Sequence, residues 1–178
     1  MYQSLLTNPN FYQVLLQSDR EIAALEQAKG CLCEGILHQS NYPRKPRGLP
    51  QDTDPSFCIR FSFCCNQEGC RKRVTPPSLR FLGRKVYTSV IIVLVFTLAT
   101  ATSKQIDRLL SCIGVSPSEE TLRRWRKFWV VHFPSGDLWN QQGLNGLDKQ
   151  ALPIVLLDQY AGHPAEKLKS LLKFLSPI

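Results

Sequence analysis

Apolar and polar residues alternate with different periods along the chain, and each period predicts a different kind of element. Near the N-terminus, apolar residues recur every three or four positions, which is typical of one helix face. A capping-box pattern at 18–21 and a closing Gly30 predict a helix from about Asp19 to Lys29. Four leucines on one stripe predict a final helix from about Pro164 to Leu175, and this stripe would suit the protein's own core or a partner equally well.

Two segments between these helices alternate with the period of two that is expected of short strands. They run from Gly35 to Tyr42 and from Phe57 to Phe63. The intervening residues Pro43 to Pro50 are rich in proline and positive charge, so we expect an exposed loop there. Pro76-Pro77 then closes the region as a short linker. The pattern predicts a small β-hairpin.

The run from Val86 to Ser103 contains no charged residue and is flanked by Lys85 and Lys104. Its eighteen residues lie at the lower limit for a membrane span. Four threonines and two serines within it favour the other interpretation, a buried core helix that is the first helix of a helical DNA-binding unit.

The clearest local signal lies between Ser103 and Phe133. A helical face is predicted first, a glycine at position 114 ends it, and Ser116 with Pro117 caps the next helix, whose third position is Glu119. This arrangement predicts a helix-turn-helix, with a plain helical hairpin as the alternative. The apolar residues expected to face the core are Ile106, Leu109, Leu110, Ile113, Leu122, Trp125 and Trp129.

The second helix of such a motif enters the major groove by its N-terminal turns. Ser118, Glu119, Thr121 and Arg123 would then lie nearest to base edges. The basic residues one turn later, Arg124 and Lys127, would contact phosphates.

Two close pairs of cysteines predict a metal site. Cys31 with Cys33 and Cys65 with Cys70 would form two knuckles joined by the hairpin, as in a small ribbon that binds zinc tetrahedrally. The second knuckle could also begin at Cys64, although the spacing to Cys70 favours Cys65. Four cysteine ligands leave no open position, so the zinc is expected to be structural.

Two further observations bear on this site. No export signal opens the printed chain, so we expect the cysteines to be reduced and available for metal. His38 could replace one cysteine, but a single histidine on a strand is more often merely packed.

The charge distribution points to an anionic partner. The formal net charge is +8, and hydrophobic residues make up 43% of the 178 residues, which is enough for a core. Residues 38–90 carry ten basic residues against three acidic ones. A localised excess of this kind is typical of a phosphate-contacting surface or of an arm in a minor groove. The candidate contacts are Arg44, Lys45, Arg47, Arg71, Lys72 and Arg73.

These residues resemble a family pattern. The cysteine ribbon runs into the sequence CRKRVTPPS at 70–78, and the later stretches are GVS at 114–116 and TLRRW at 121–125. Over residues 31–133 the chain looks like the N-terminal DNA-recognition module of bacterial insertion-sequence transposases. In that family a zinc ribbon is followed by a helix-turn-helix, and the pair recognises transposon ends.

The chain departs from that family after Phe133. Such transposases continue into a long catalytic domain with three metal-binding carboxylates on an RNase H-like sheet. Here 45 residues follow, and Asp137, Asp148 and Asp158 lack strand-like surroundings. The resemblance therefore implies a stand-alone recognition module, an accessory protein or a repressor, and carries no catalysis over.

The expected fold class is α+β and mostly α: a small cysteine-rich β-hairpin zinc ribbon followed by a helix-turn-helix unit. The expected units are an N-terminal helical segment (1–30), a ribbon (31–77), a helix-turn-helix domain (78–134) and a C-terminal helical extension (135–178).

The expected function is DNA binding, with duplex DNA favoured, in a cytoplasmic protein associated with the nucleoid. It would be a factor that accompanies a mobile element or a transcriptional regulator. The terminal helices could supply a homodimer or protein interface. No catalysis is expected, because His38, His132 and His163 show no nucleophile or acid partner.

Two alternatives to this function stay open. The first is an RNA-binding, single-strand-binding or adaptor protein, in which Tyr42 and Phe57 stack on bases. The second, which is less favoured, is a small membrane protein that spans the bilayer at 86–103.

Overall fold

The computed structural model describes residues 2–97, 106–107 and 110–178. It confirms the α+β, mostly α class. A π-helical turn at Phe128–His132 directly follows the helix that ends at Lys127. The helices are α1 (Gln3–Leu6), α2 (Pro9–Ala28), α3 (Ser89–Thr97), α4 (Glu119–Lys127), α5 (Asp137–Gln141), α6 (Ile154–Leu157) and α7 (Pro164–Leu175). The strands are β1 (Leu37–Gln39), β2 (Tyr42–Pro43), β3 (Ile59–Arg60), β4 (Phe63–Cys65) and β5 (Arg73–Val74).

Helix α2 begins ten residues earlier than the sequence pattern predicted, so the capping box expected at 18–21 is wrong. Its N-cap is Asn8, whose side chain accepts the backbone N–H of Asn10, and Pro9 occupies the first turn. Ser18 lies in the middle of the helix, where its hydroxyl donates to the carbonyl of Val14. The Asn-Pro pair was the correct start signal.

A buried ion pair fixes α2 to the rest of the molecule. Asp19 and Arg80 have almost fully buried side chains, and Arg80 Nε lies 2.7 Å from Asp19 Oδ2. Asp19 Oδ1 also accepts the backbone N–H of Leu79 at 2.6 Å. The remaining guanidinium nitrogens of Arg80 donate to the carbonyls of Phe57 (2.7 Å) and Ile59 (2.9 Å). One arginine therefore joins α2, the hairpin and the segment that leads to α3.

The predicted hairpin is present but interrupted. Strand β1 pairs antiparallel with β4, with Leu37 opposite Cys65, and β4 also pairs with β5. Strands β2 and β3 form a separate two-stranded sheet. The residues between the two sheets are joined by the bond from Ser62 N to the side-chain oxygen of Asn41 (3.0 Å).

The loop expected to be exposed at 43–50 is exposed only at alternate residues up to Arg47, and Gly48 is buried. Arg47 and Tyr87 form a parallel bridge, in which Arg47 N donates to Val86 O at 2.9 Å. Gly48 has φ +83°, and a Cβ there would lie 1.9 Å from Ile91 Cδ1. Only glycine allows the loop to approach α3 this closely.

Helix α3 lies in the centre of the main core, and all its residues but Phe96 are buried. This confirms the core-helix interpretation for residues 89–97 of the uncharged run. Residues 86–88 precede the helix, and residues 98–103 lie outside the described residues. In the described ranges we find no helix with the length and apolar character to cross a bilayer. Trp129 packs against α3 and donates its indole N–H to Ile92 O at 3.3 Å.

Helix α7 has the bounds predicted from the sequence, and its leucine stripe is buried in the protein's own core. This main core draws residues from each of the helices α1 to α7. A second, small cluster comprises Ala23, Cys31, Leu37, Phe63 and Cys65 and lies at the hairpin. The four predicted domain bounds stay a prediction.

Candidate metal centre and basic groove

The four predicted cysteine ligands come together at the base of the hairpin. Cys31 Sγ lies 3.7 Å from Cys70 Sγ, and Cys33 Sγ lies 3.5 Å from Cys65 Sγ. All four sulfurs lie within 4.8 Å of one another. Four sulfurs at this spacing could hold a metal ion, and one pair comes from each end of the hairpin.

Tight turns bring each pair of sulfurs to the site. Cys31 N donates to Gly35 O at 3.0 Å, and Glu34 N donates to Cys31 O at 2.8 Å. A Cβ on Gly35 would lie 2.6 Å from Cys65 Sγ, so glycine is required where the two knuckles meet. Beyond β4, Cys65 N donates to Lys72 O at 3.0 Å and thereby closes the second knuckle.

Each of the four sulfurs accepts a hydrogen bond from a backbone N–H group. This hydrogen bond favours the thiolate and is the largest influence on the pKa of each thiol. It lowers the pKa of Cys31 to about 7. In Cys33, Cys65 and Cys70, burial and hydrogen bonds with neighbouring cysteine side chains together outweigh it, and the thiol pKa is raised. The donors lie two residues after each sulfur: Cys33 for Cys31, Gly35 for Cys33, Gln67 for Cys65 and Lys72 for Cys70.

Cys64 and His38 lie outside the sulfur cluster. They are paired opposite each other in the sheet, and neighbouring residues of a strand project to opposite faces. Cys64 Sγ lies 3.5 Å from Arg71 O, and His38 is exposed. Of the two cysteines left open by the sequence, Cys65 is the one in the cluster.

The end of the helical segment before α4 is as predicted. Gly114 has φ +63°, and its N–H donates to Ser111 O while Val115 N–H donates to Leu110 O. These two bonds form a Schellman motif with the glycine in its left-handed position. Leu110 is buried, and Leu109 lies outside the described residues.

Helix α4 begins two residues later than predicted. Ser118 is the N-cap, and its hydroxyl accepts the backbone N–H of Thr121 at 3.3 Å, so the expected cap at Ser116 is wrong. Ser118 prevails because two glutamates then occupy the first turn, where the helix dipole favours negative charge. The preceding helical segment ends at Ser111, and six residues, 112–117, separate it from this cap.

The polar side chains of α4 lie as the helical spacing predicted. Trp125 is buried, whereas Arg123, Arg124 and Lys127 are exposed. Arg123 and Arg124 both pair with Glu120, the latter through Nε at 2.9 Å. The hydroxyls of Ser118 and Thr121 hydrogen-bond each other at 3.0 Å, and Glu119 is exposed on the first turn.

A concave surface joins α4 to residues far away in the sequence. This basic groove has a volume of about 520 Å³ and contains four Arg or Lys residues. Among the described residues that line it, none is acidic. A second concavity shares Arg124 and His132 with it and is also lined by Glu120, Arg123 and Lys127. The residues of the basic groove are Arg47, Arg84, Lys85, Val86, Tyr87, Thr121, Arg124, Trp125, Phe128 and His132.

The other predicted contact residues lie away from the basic groove. The guanidinium of Arg44 donates to Gly83 O (2.7 Å) and Lys85 O (2.9 Å), so it holds the backbone that carries the groove cations. Arg73 donates to the carbonyl of Ser40 and lies over the Tyr42 ring, although it is exposed. Lys45, Arg71 and Lys72 are exposed.

The sequence pattern did not single out Arg84, Lys85, Tyr87 or His132 as groove residues. The signal that was available is the Arg84-Lys85 pair directly before the uncharged run, which marks where a buried helix leaves the surface. Nothing in the spacing shows that Arg47 pairs with Tyr87 or that a π-turn carries His132 to the same place.

Comparison with protein-family models, with curated proteins and with solved structures found no match to this chain. The case for its function therefore depends on the sulfur cluster, the basic groove and helix α4.

Proposed function

We propose that this protein binds duplex DNA and that a structural zinc ion supports the fold. The observation that carries the proposal is the basic groove, where Arg47, Arg84 and Lys85 meet Arg124 of helix α4 with no acidic residue in the described lining. Cations from separate parts of a chain that gather in one concavity form a surface suited to phosphates. Of the four, Arg124 is also paired with Glu120, which does not line the groove. This role suits a regulator or an accessory factor of a mobile element.

Helix α4 is the proposed recognition helix. The connection between the preceding helical segment and its cap is short and contains the Gly114 turn, as in a helix-turn-helix, although its six residues exceed the usual turn of about three or four. Its N-terminal turn exposes Glu119 and partly exposes Thr121, which would face base edges, while Arg124 and Lys127 would contact the flanking phosphates. A plain helical hairpin with a solvated basic face remains the competing interpretation.

Zinc is the metal that the sulfur cluster suits best. Four cysteine sulfurs without a carboxylate or an open position are typical of a structural zinc site. The ion would hold the two ends of the hairpin together beside α2. The exposed Lys45, Arg71 and Lys72 would then extend the phosphate-binding surface across the hairpin.

Single-strand binding is less well supported by the aromatic residues proposed for it. Phe57 is 1% exposed and packs against Tyr12 and Phe81, so it cannot stack on a base. Tyr42 is half-buried beneath Arg73. Duplex DNA is therefore the ligand to test first.

The test combines the metal content of the purified protein with duplex binding across a salt series. We expect about one zinc per chain and an affinity that falls steeply with salt, because each phosphate contact releases counterions. A single strand of the same sequence is the comparison ligand. A duplex affinity that does not change with salt concentration, or no duplex binding at all, would overturn the DNA-binding proposal. Absence of metal from the purified protein would overturn the zinc proposal alone.

A further inference from the structure

We infer that the basic groove binds a phosphate monoester of a nucleotide, with the phosphorylated end of a DNA strand as its principal source. This inference rests on the proposed function and goes beyond it, because a protein that only follows a duplex contacts internal phosphodiesters. It assigns a strand end, or a free nucleotide of the same chemistry, to one defined place on the molecule.

The charge of the basic groove suits a phosphate monoester. Four cationic side chains line one concavity, and none of its described lining residues is acidic. An internal phosphodiester carries a single negative charge, whereas a phosphate monoester carries about −1.5 to −2 near neutral pH and offers three strong acceptor oxygens. Several cations at one point match the monoester better than an isolated diester.

The position of Lys85 also favours a bound anion. Its ammonium lies 3.7 Å from the centroid of the Phe128 ring, and burial lowers its pKa below the ordinary value. No salt bridge to Lys85 exists among the described residues. A partly desolvated cation without a counter-charge gains more from an anion than a fully solvated lysine does.

The groove is firmly built. Arg44 donates to the backbone carbonyls of Gly83 and Lys85, and the bridge between Arg47 and Tyr87 joins the 43–50 loop to the same segment. The Tyr87 ring packs edge-on against Trp125 of α4, with centroids 4.9 Å apart. Cations held on a preorganised wall lose less entropy on binding than cations on free side chains.

The size and lining of the basic groove suit a nucleotide better than a phosphate alone. The groove volume of about 520 Å³ lies within the range of small-molecule sites and is far larger than one phosphate requires. Tyr87, Trp125 and Phe128 provide apolar surface beside the cations. His132, at the end of a π-turn, also lines the groove, and such turns are frequent at functional sites. A sugar and base attached to the phosphate would occupy the apolar part.

The experiment compares one duplex that carries 5′-phosphates with the same duplex that carries 5′-hydroxyls, on the full chain. We expect the phosphorylated duplex to bind about tenfold tighter, the effect of one additional charge-assisted contact. Lys85→Gln should abolish this preference, and so should the more exposed Arg84→Gln if the first variant folds poorly. Arg126→Gln removes the same charge from α4 outside the groove and should keep the preference.

A titration with a nucleoside monophosphate, against the nucleoside alone, separates the two sources of the monoester. Equal affinity for both duplexes, together with steep salt dependence and no binding of the monophosphate, would overturn this inference and leave the proposed function standing. Loss of all duplex binding would instead overturn the proposed function. If duplex binding is lost but the wild-type chain binds the monophosphate and Lys85→Gln does not, the groove assignment still stands. If the wild-type chain binds neither ligand, the groove assignment is overturned as well.

Discussion

At the scale of single residues, the ion pair between Asp19 and Arg80 stands out because it is both buried and central. Both side chains are 1% exposed or less. Arg80 is also surrounded by the rings of Phe57, Phe61 and Phe81. Every direction around the guanidinium is occupied by a carbonyl, a carboxylate or an aromatic face, so the charge depends on these partners in place of water.

We predict that Asp19→Ala lowers the free energy of unfolding by about 3–5 kcal/mol, because it leaves the guanidinium of Arg80 buried without its counter-charge. Chemical denaturation monitored by circular dichroism would measure this. Glu21→Ala, two residues along the same helix and exposed, is the matched control and should change stability by no more than about 0.5 kcal/mol. Similar midpoints for the two variants would show that Arg80 does not depend on Asp19.

The cysteines provide a second test at this scale, since Cys33 and Cys64 have opposite expected roles. Cys33→Ser should lose the bound metal, because its sulfur is one of the four in the cluster. Cys64→Ser should keep it, because that sulfur lies against the backbone of Arg71. Elemental analysis of the purified variants decides the matter. A full equivalent of metal in Cys33→Ser would contradict the ligand set.

At the scale of elements, helix α4 combines a buried aromatic face with an exposed basic one. Trp125 and the following Trp129 attach it to the core, so the direction of its basic face is fixed by packing. Ser118 caps its start, and Lys127 stands in its last turn, where a positive charge suits the helix dipole. The helix is thus held rigidly while Arg123, Arg124 and Lys127 remain accessible.

We predict that Arg124→Ala combined with Lys127→Ala weakens binding to every DNA sequence and reduces the logarithmic salt slope by about 2, one phosphate contact for each lost charge. Fluorescence anisotropy across a salt series would measure both quantities. Arg126→Ala with Lys173→Ala removes equal charge elsewhere and should leave the slope nearly unchanged. An unaltered slope in the first variant would refute the proposed placement of α4.

At the scale of the whole molecule, two apolar clusters of unequal size share the chain. The large one extends from α1 to α7, whereas the small one contains five buried residues, two of which are cysteines of the sulfur cluster. A cluster that small buries little apolar surface, so its order is expected to depend on the metal.

We predict that a strong chelator loosens the hairpin and leaves the main core folded. Hydrogen exchange should then show amides of 31–39 and 63–74 losing protection, while those of α3 and α7 keep theirs. The untreated protein, and chelated protein with zinc restored, are the controls. Loss of protection in both regions together would mean that the metal supports the entire fold, and no change would mean that it supports neither.

Much of the local structure could be predicted from the sequence. Helix α7 was predicted with its observed bounds because its leucines, its early proline and its lysines all agree. The Gly114 turn followed from glycine's tolerance of positive φ. The cysteine set followed from ligand spacing, since a chain reversal at each knuckle needs a particular number of residues.

Start positions were less predictable where two capping signals competed. Ser116 and Ser118 both suit an N-cap, and Asn8-Pro9 competes with the pattern at 18–21. First-turn glutamates favour Ser118 in the first case, and tertiary contacts decide the second. The carboxylate of Asp19 is needed by Arg80, sixty-one residues away, and a local pattern contains no information about that distance.

The sequence by itself determined the elements, the metal-ligand chemistry and the excess of positive charge, because these depend on residue types and short spacings. Only the tertiary structure decided which charges act together. In the folded chain Arg44 donates to backbone carbonyls, and Phe57 is buried. Arg47, Lys85 and Arg124 line one groove. The reason is physical: a groove is made by packing between distant segments, and the close approach of the 43–50 loop to α3 exists only in the folded chain.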